Sequence, residues 1–140
     1  MEEKQYEESI RQLEYLHNIY VQEYNNILKE LSNYNMVYEA TKRNRDVLDN
    51  LGIIENGSIL LNLESGTYIK AKIGEIKEVM VYIGSNYLVE KNVEEAKEYL
   101  KMGQKKEEEL IAELQKQKEE IESNLIDIEY ELGKYGNENV

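Results

Sequence analysis

The sequence predicts an α+β fold in which a long antiparallel two-helix coiled coil carries two β-hairpins between its helices and oligomerises through them. Apolar residues recur at helical spacing near both ends of the chain, four short strand-like runs lie between them, and the two helical stretches match in length. We expect one domain, with a coiled-coil helix over 1–51, hairpins over 52–91, a second coiled-coil helix over 92–136 and a tail over 137–140.

The composition is typical of long helices with narrow apolar faces rather than of a thick globular core. Of 140 residues, 33% are charged and 41% hydrophobic, and Pro, Phe, Trp and Cys are absent, so no proline ring interrupts a helix. The net charge of −12, from 29 acidic and 17 basic residues, disfavours phosphate binding. The sequence therefore predicts that nucleic acid is not a partner.

The sequence predicts a cytoplasmic protein. No stretch approaches the roughly 18 apolar residues of a membrane span. The first residues lack the basic and then apolar pattern of a signal peptide. The absence of cysteine fits a reducing compartment.

The first helix is predicted from an apolar stripe whose steps alternate between four and three residues. Ten of its thirteen positions are apolar or aromatic, which is a strong coiled-coil signal. Asn50-Leu51-Gly52 then predicts a helix end, with Gly52 in the left-handed cap conformation. The stripe consists of Tyr6, Ile10, Leu13, His17, Tyr20, Tyr24, Ile27, Leu31, Tyr34, Tyr38, Thr41, Arg45 and Leu48.

The second helix is predicted to begin at Asn92, an N-cap residue followed three positions later by Glu95. Near Gly103 and Glu107 its stripe weakens and the register slips by about one residue. The stripe opens with Val93, Ala96 and Leu100 and continues with Ile111, Leu114, Lys118, Ile121, Leu125, Ile128, Leu132 and Tyr135.

Between the helices, the runs 58–63, 67–73, 79–83 and 87–91 read as strands, because they are rich in Val, Ile, Leu and Tyr and are separated by Gly, Ser and Asn. They form two hairpins, 58–73 and 79–91. Isolated hairpins are marginal in water, so we expect other chains to cover their apolar residues by β-augmentation. The predicted interface residues are Ile59, Leu61, Leu63, Tyr68, Val79, Val81, Ile83 and Tyr87.

The two stripes cover the same span, 6–48 and 93–135, as an intramolecular antiparallel coiled coil requires. Each arm would be roughly 60–65 Å long at 1.5 Å per residue. Folding the chain back through the hairpins pairs Leu48 with Val93 and Tyr6 with Tyr135.

Three stretches of the chain resemble the archaeal prefoldin α class. VYIGSNYLVEK at 81–91 runs into VEEAKEYL at 93–100, as a strand, a Gly turn, a strand and a helix start. TYIKAK at 67–72 is similar to the second strand of the family's first hairpin. The helix, two hairpins and helix follow the α order along nearly the whole chain, since β subunits have one hairpin.

The resemblance implies an ATP-independent holdase chaperone subunit in a hexamer of two α and four β subunits. Its coiled-coil tips would bind unfolded polypeptides and deliver them to a group II chaperonin. The family also includes α-like subunits, such as the filament-forming γ variant, so the alternative is a structural filament or scaffold protein. The resemblance places client binding in a tip cluster, defined as Tyr6, Ile10, Leu13, Ile128, Leu132 and Tyr135.

The single histidine and the acidic runs are the other candidates for chemistry, and their patterns favour ordinary structural roles. His17, the single histidine, could make the seam pH-sensitive, but a tolerated, partly exposed coiled-coil residue is the favoured interpretation. The acidic runs 107–109 and 119–120 could act as paired carboxylates, yet at helical spacing to Lys they favour solvated faces. The sequence predicts no enzyme activity, no cofactor and no metal site.

Overall fold

The computed structural model describes residues 2–137; the remainder of the predicted tail, residues 138–140, lies outside this range. Along the chain, a long helix, two hairpins and a second long helix follow one another as the sequence predicts, and a short helix that it does not predict lies between the first long helix and the hairpins. The elements are α1 (Glu2–Asp49), α2 (Leu51–Ile54), β1 (Ser58–Glu64), β2 (Thr67–Lys72), β3 (Glu78–Gly84), β4 (Tyr87–Asn92) and α3 (Val93–Asn137).

Helix α1 runs without interruption for 48 residues. All thirteen predicted stripe positions are buried or half-buried, and most of the positions between them are exposed. The alternation of four- and three-residue steps therefore predicts the buried face correctly along the whole helix.

The predicted end of the first helix is wrong in its detail. Gly52 has no positive φ and instead lies inside the four-residue helix α2. The left-handed conformation falls four residues later, at Asn56 with φ 61°. Tertiary packing explains the shift, because Leu51 is buried with 8% of its surface exposed and the short helix carries it inward.

The strands form two separate antiparallel hairpins, hairpin A (β1–β2) and hairpin B (β3–β4), as predicted. They share one register at an offset of twenty residues. In hairpin A Ser58 pairs with Lys72, and in hairpin B Glu78 pairs with Asn92. The remaining residue pairs of the two hairpins differ by the same twenty residues. Each hairpin has a bulge two residues before its turn.

Both turns have two central residues with positive φ, as short hairpin loops require. They are Ser65 and Gly66 in hairpin A, and Ser85 and Asn86 in hairpin B. The residue before each turn also has positive φ, 107° at Gly84 but 98° at Glu64. Hairpin A thus carries a charged side chain where its counterpart has glycine.

Helix α3 begins where the sequence predicts. The Asn92 side-chain oxygen accepts a hydrogen bond of 2.8 Å from the Glu95 backbone N–H, which caps the helix. All of its predicted stripe positions are buried or half-buried. The stripe also continues through the weak stretch, because Gly103 and Glu107 are half-buried and Gln104 is buried with 6% of its surface exposed.

The chain divides into two compact units. In the first, residues up to 36 of α1 pack against residues from 108 of α3 around an apolar core. Hydrogen bonds join Tyr24 to Glu122 at 3.1 Å and His17 to Glu129 at 3.3 Å, so the helices run antiparallel. The core comprises Ile27, Leu31, Leu114 and Ile121, with Tyr20, Tyr24, Tyr34, Ile111 and Leu125 packed against it.

The second unit, residues 37–107, contains the rest of both long helices and the hairpins. Its helices are also antiparallel, since Thr41 bonds Glu107 and Arg45 bonds Gln104. The Lys97 ammonium lies 3.8 Å from the Asp49 carboxylate, and this contact fits the same antiparallel arrangement. Buried apolar side chains in this unit are Leu51, Val81 and Ala96.

Candidate functional sites: the tip cluster and the hairpins

The predicted tip cluster lies in the first unit and is closed by a tyrosine pair. The Tyr6 and Tyr135 rings meet edge to face, with centroids 4.9 Å apart at 75°. The Tyr6 hydroxyl donates a 2.6 Å hydrogen bond to the Tyr135 carbonyl oxygen. The predicted pairing of these two residues is therefore confirmed. Such aromatic pairs contribute about 0.5–1.5 kcal/mol beyond their buried area.

The other tip-cluster residues face into the seam rather than outward. Ile10, Leu13 and Leu132 are half-buried, and Ile128 is buried with 8% of its surface exposed. The same helical spacing that makes them candidates for client contact also makes them core. A ligand could contact these side chains fully only where the two helices separate.

The stripe pattern missed an exposed apolar set in the same unit. Tyr15, Ile126 and Tyr130 each keep about two thirds of their surface exposed, and Leu16 keeps 41%. Ile126 and Tyr130 are spaced at i, i+4 and so share one helix face. The Lys134 ammonium lies 4.8 Å from the Tyr130 ring centroid. These residues could have been found as large apolar side chains outside the stripe.

His17 occupies a partly exposed seam position, as the favoured interpretation predicts. Its Nε2 lies 3.3 Å from the Glu129 carboxylate, and its side chain is 30% exposed. A surface pair of this kind contributes little to stability, typically below about 1 kcal/mol.

Both hairpins expose large apolar side chains, in agreement with a role in contacts with other chains. Leu61, Leu63, Tyr68, Ile83 and Tyr87 are exposed to between 47% and 67%. Ile59 and Val79 are half-buried. One predicted interface residue needs correction.

Val81 is buried within its own chain, with 8% of its surface exposed. It therefore belongs to the core of the second unit rather than to a free surface. Strand periodicity predicts that Val81 lies on an apolar face, but periodicity does not indicate which of two apolar faces the chain itself covers.

Five further exposed apolar residues of the hairpins lie outside the predicted set. Several are cross-strand partners of predicted residues or their immediate neighbours. Their exposure means that both faces of hairpin A carry apolar side chains in contact with solvent. They are Leu60, Ile69, Met80, Tyr82 and Leu88.

The exposed face of hairpin B holds two acidic residues close together. A hydrogen bond with the Glu90 carboxyl, and then the repulsion between the two charges, raise the pKa of Glu78 above its ordinary value. Glu78 pairs with Asn92 and Glu90 with Met80, so the carboxyls lie diagonally across the strands.

A groove of about 750 Å³ lies within the second unit. Its wall includes Val47 and Leu48 of α1, Tyr82 of β3 and Met102 of α3. Glu107 also lines it; one carboxylate oxygen is bonded by Thr41, while the other is buried without a hydrogen-bond partner. The groove is mainly apolar.

Residues 2–137 contain neither a metal-binding cluster nor a membrane-spanning helix. Within that range, no cluster of His, Cys, Asp and Glu has the arrangement needed to hold a metal ion. Neither long helix contains a stretch apolar enough to cross a membrane over the same residues.

Comparison with known proteins agrees with this architecture. The family model "Prefoldin subunit" matches residues 20–138. A prefoldin subunit alpha from Methanoregula boonei is 36% identical over 87 residues, 57% of this chain and 57% of that protein. One from Thermofilum pendens is 43% identical over 54 residues, 38% of this chain and 42% of that protein.

More distant similarity is seen in a eukaryotic relative and a solved structure. Human prefoldin subunit 5 is 29% identical over 94 residues, 66% of this chain and 61% of that protein. A filamentous prefoldin from Methanocaldococcus jannaschii, solved by cryo-electron microscopy, superposes with a TM-score of 0.67 at 20% identity. The superposition covers 81% of this chain and 95% of that chain.

The fold defines an α+β protein of long antiparallel helices that carry two hairpins between them. With the family match over most of its length, the chain belongs to the prefoldin family. It spans 57% and 42% of the length of the two archaeal α subunits that it matches.

Proposed function

We propose that this chain is a subunit of an ATP-independent holdase chaperone in the cytoplasm. Membership of the prefoldin family carries this proposal, supported by the fold shared over 95% of a solved prefoldin chain. In this function the hairpins join the chain to other prefoldin-type subunits, including β-class subunits. The helix ends hold unfolded polypeptides and pass them to a group II chaperonin.

The client site in this proposal is the tip cluster, opened by parting of the terminal turns. When the tip is closed, Ile128 is buried and the other residues of the tip cluster are half-buried. The Tyr6 and Tyr135 rings contact each other at the end of the two helices. Gly133 and Gly136 weaken the last turns of α3, since glycine costs about 1 kcal/mol relative to alanine in a helix. Parted, the cluster offers an adaptable apolar surface to exposed hydrophobic segments without sequence preference.

The test is to hold the tip closed. The chain has no cysteine, so Y6C/Y135C places two unique thiols that a short bis-maleimide can bridge. We expect the bridged protein to lose suppression of aggregation of an unfolded test protein relative to the same Y6C/Y135C protein without the bridge, which keeps the four aliphatic residues of the tip cluster. The matched control is Y15C/Y130C carrying monofunctional maleimide on the exposed tyrosine positions.

Full suppression by the bridged protein would contradict the tip-cluster site. Loss of suppression in the modified Y15C/Y130C control would move the client site to the outer helix faces. If neither the wild-type chain nor its complex with a β-class subunit suppresses aggregation, the holdase function itself is wrong.

A filament or scaffold role is the second candidate, and one observation favours it. Each hairpin is an isolated two-stranded sheet with unpaired edges and exposed apolar side chains. Such edges can pair repeatedly with copies of the same chain.

A further inference from the structure

The groove of the second unit has the size and lining of a small-molecule site. Its volume of about 750 Å³ lies within the roughly 300–1,000 Å³ of typical ligand pockets. Helices α1 and α3 and hairpin B all contribute to its wall. Several apolar or aromatic lining side chains keep exposed surface that a ligand could cover. They include Val47, Met80, Tyr82, Leu88, Tyr99 and Met102.

Glu107 gives this wall a carboxylate whose hydrogen bonding is incomplete. The Thr41 hydroxyl donates a 3.0 Å hydrogen bond to Oε1, whereas the buried Oε2 has no hydrogen-bond partner among residues 2–137. None of the ion pairs within 4.0 Å in that range includes Glu107. Lys106 also lines the groove but is exposed. An unpaired buried carboxylate oxygen is unfavourable, so a ligand that donates a hydrogen bond to it gains affinity.

We propose that the groove binds a small organic cation, in which a protonated amine is attached to an aromatic or aliphatic body. The body covers the apolar wall, and the ammonium donates a charge-assisted hydrogen bond to Glu107 Oε2. A small rotation of the half-buried Glu107 side chain brings this oxygen to the groove. The Tyr82 ring, also in the wall, attracts cations through its face.

The chemistry of the groove favours a cation over a neutral or an anionic ligand. A neutral apolar molecule would leave Oε2 unpaired, and an anion would be repelled by Glu107 and by the net charge of −12. The Lys91 ammonium lies 5.3 Å from the Tyr99 ring centroid and forms no ion pair with Glu107. This inference concerns the groove alone and does not rest on client binding.

Pyrenemethylamine, a fluorescent aromatic ammonium compound, tests the ligand chemistry by fluorescence titration of the full chain. Pyrenemethanol and pyreneacetic acid carry a neutral and an anionic group on the same aromatic body. We expect the ammonium compound to bind about tenfold more tightly than either, because its hydrogen bond joins two charged groups. No binding by the wild-type chain, or equal binding of pyrenemethanol, would overturn the inference.

Glu107→Gln tests the carboxylate. We expect it to weaken pyrenemethylamine binding by roughly tenfold and to leave pyrenemethanol binding unchanged, because it removes the charge and keeps the side chain's size. The matched control, Glu109→Gln, makes the same change of net charge at an exposed position of α3 and should bind like the wild type. An unchanged affinity in Glu107→Gln, or an equal loss in Glu109→Gln, would contradict the site.

Gly103→Phe tests the groove itself. A Cβ atom added at Gly103 meets nothing within 4 Å beyond the adjacent residues and its own helix backbone, so a larger side chain can extend into the groove. We expect Gly103→Phe to abolish pyrenemethylamine binding and Gly103→Ala to keep it. Circular dichroism checks that both variants retain their helices. A folded Gly103→Phe protein with wild-type affinity would rule out this groove as the site.

The same variant distinguishes the proposed ligand from other occupants. Sedimentation equilibrium, alone and with a β-class subunit, should give Gly103→Phe the mass of the wild-type assembly. A lower mass would show that a neighbouring subunit fills the groove and would overturn the inference. Loss of aggregation suppression by Gly103→Phe would instead make the groove a client site, which also overturns it.

Discussion

The residue before each hairpin turn has a positive φ in both hairpins, but only hairpin B has a glycine there. Glu64 has φ 98° and its counterpart Gly84 has φ 107°. A side chain at such an angle costs about 1–3 kcal/mol, whereas glycine adopts it freely. A hydrogen bond partly offsets the backbone strain at Glu64: its backbone N–H donates to the Asn62 side-chain oxygen at 2.9 Å.

We therefore expect Glu64→Gly to stabilise the protein. The free energy of unfolding should rise by about 1 kcal/mol, after allowance for the greater entropy of glycine in the unfolded chain. Chemical denaturation followed by circular dichroism measures it. Gly84→Ala is the matched control and should destabilise by a similar amount. A Glu64→Gly variant less stable than the wild type would show that the Glu64 side chain makes a contact worth more than the strain.

At the scale of an element, helix α3 keeps its buried stripe through residues that are not apolar. Gln104 is buried and its side-chain oxygen accepts a hydrogen bond from Arg45. Thr41, itself 9% exposed, lies 3.0 Å from the Glu107 carboxylate. Polar pairs inside a coiled-coil seam favour one register, because any slip leaves their groups unpaired.

Thr41 and Glu107 should show strong coupling. Thr41→Val removes the hydroxyl and leaves a carboxylate with no partner on either oxygen, which should cost about 1–3 kcal/mol of unfolding free energy. Adding Glu107→Leu replaces both partners by apolar groups and should recover most of that loss. Urea denaturation of the two variants measures the difference, with Thr41→Ser as the control that retains the hydroxyl. A double variant less stable than Thr41→Val would contradict the argument.

At the scale of the whole molecule, exposed apolar surface is concentrated on hairpins that the chain leaves uncovered. Leu61 is 47% exposed and Ile83 is 50% exposed. Prefoldin-type assembly through these hairpins predicts that both are covered in the oligomer.

We expect Leu61→Lys/Ile83→Lys to lower the mass of the assembly, because burying two added ammonium groups is unfavourable. Sedimentation equilibrium of the chain, alone and with a β-class subunit, measures it. Met36→Lys, at a 69% exposed position of α1, is the control and should leave the mass unchanged. An unchanged mass for the hairpin variant would place the interface elsewhere on the chain.

Local periodicity determined most of this fold. The step pattern from Tyr6 to Leu48 and the Asn92 cap predicted both long helices, because burial along a helix repeats with its turn. The Gly and Ser turn signals placed both hairpins, since positive φ restricts which residues can occupy a two-residue loop. Tyr6 was correctly paired with Tyr135 because the two stripes have equal length.

Tertiary structure alone decided which of the predicted apolar residues the chain itself covers. Val81 is buried and Leu61, its counterpart in hairpin A, is exposed, although both are aliphatic residues on equivalent strands. Leu51 is buried, so Gly52 lies inside the short helix α2 instead of ending the first long helix. The physical reason is that periodicity reports which side chains share a face, whereas burial depends on what packs against that face.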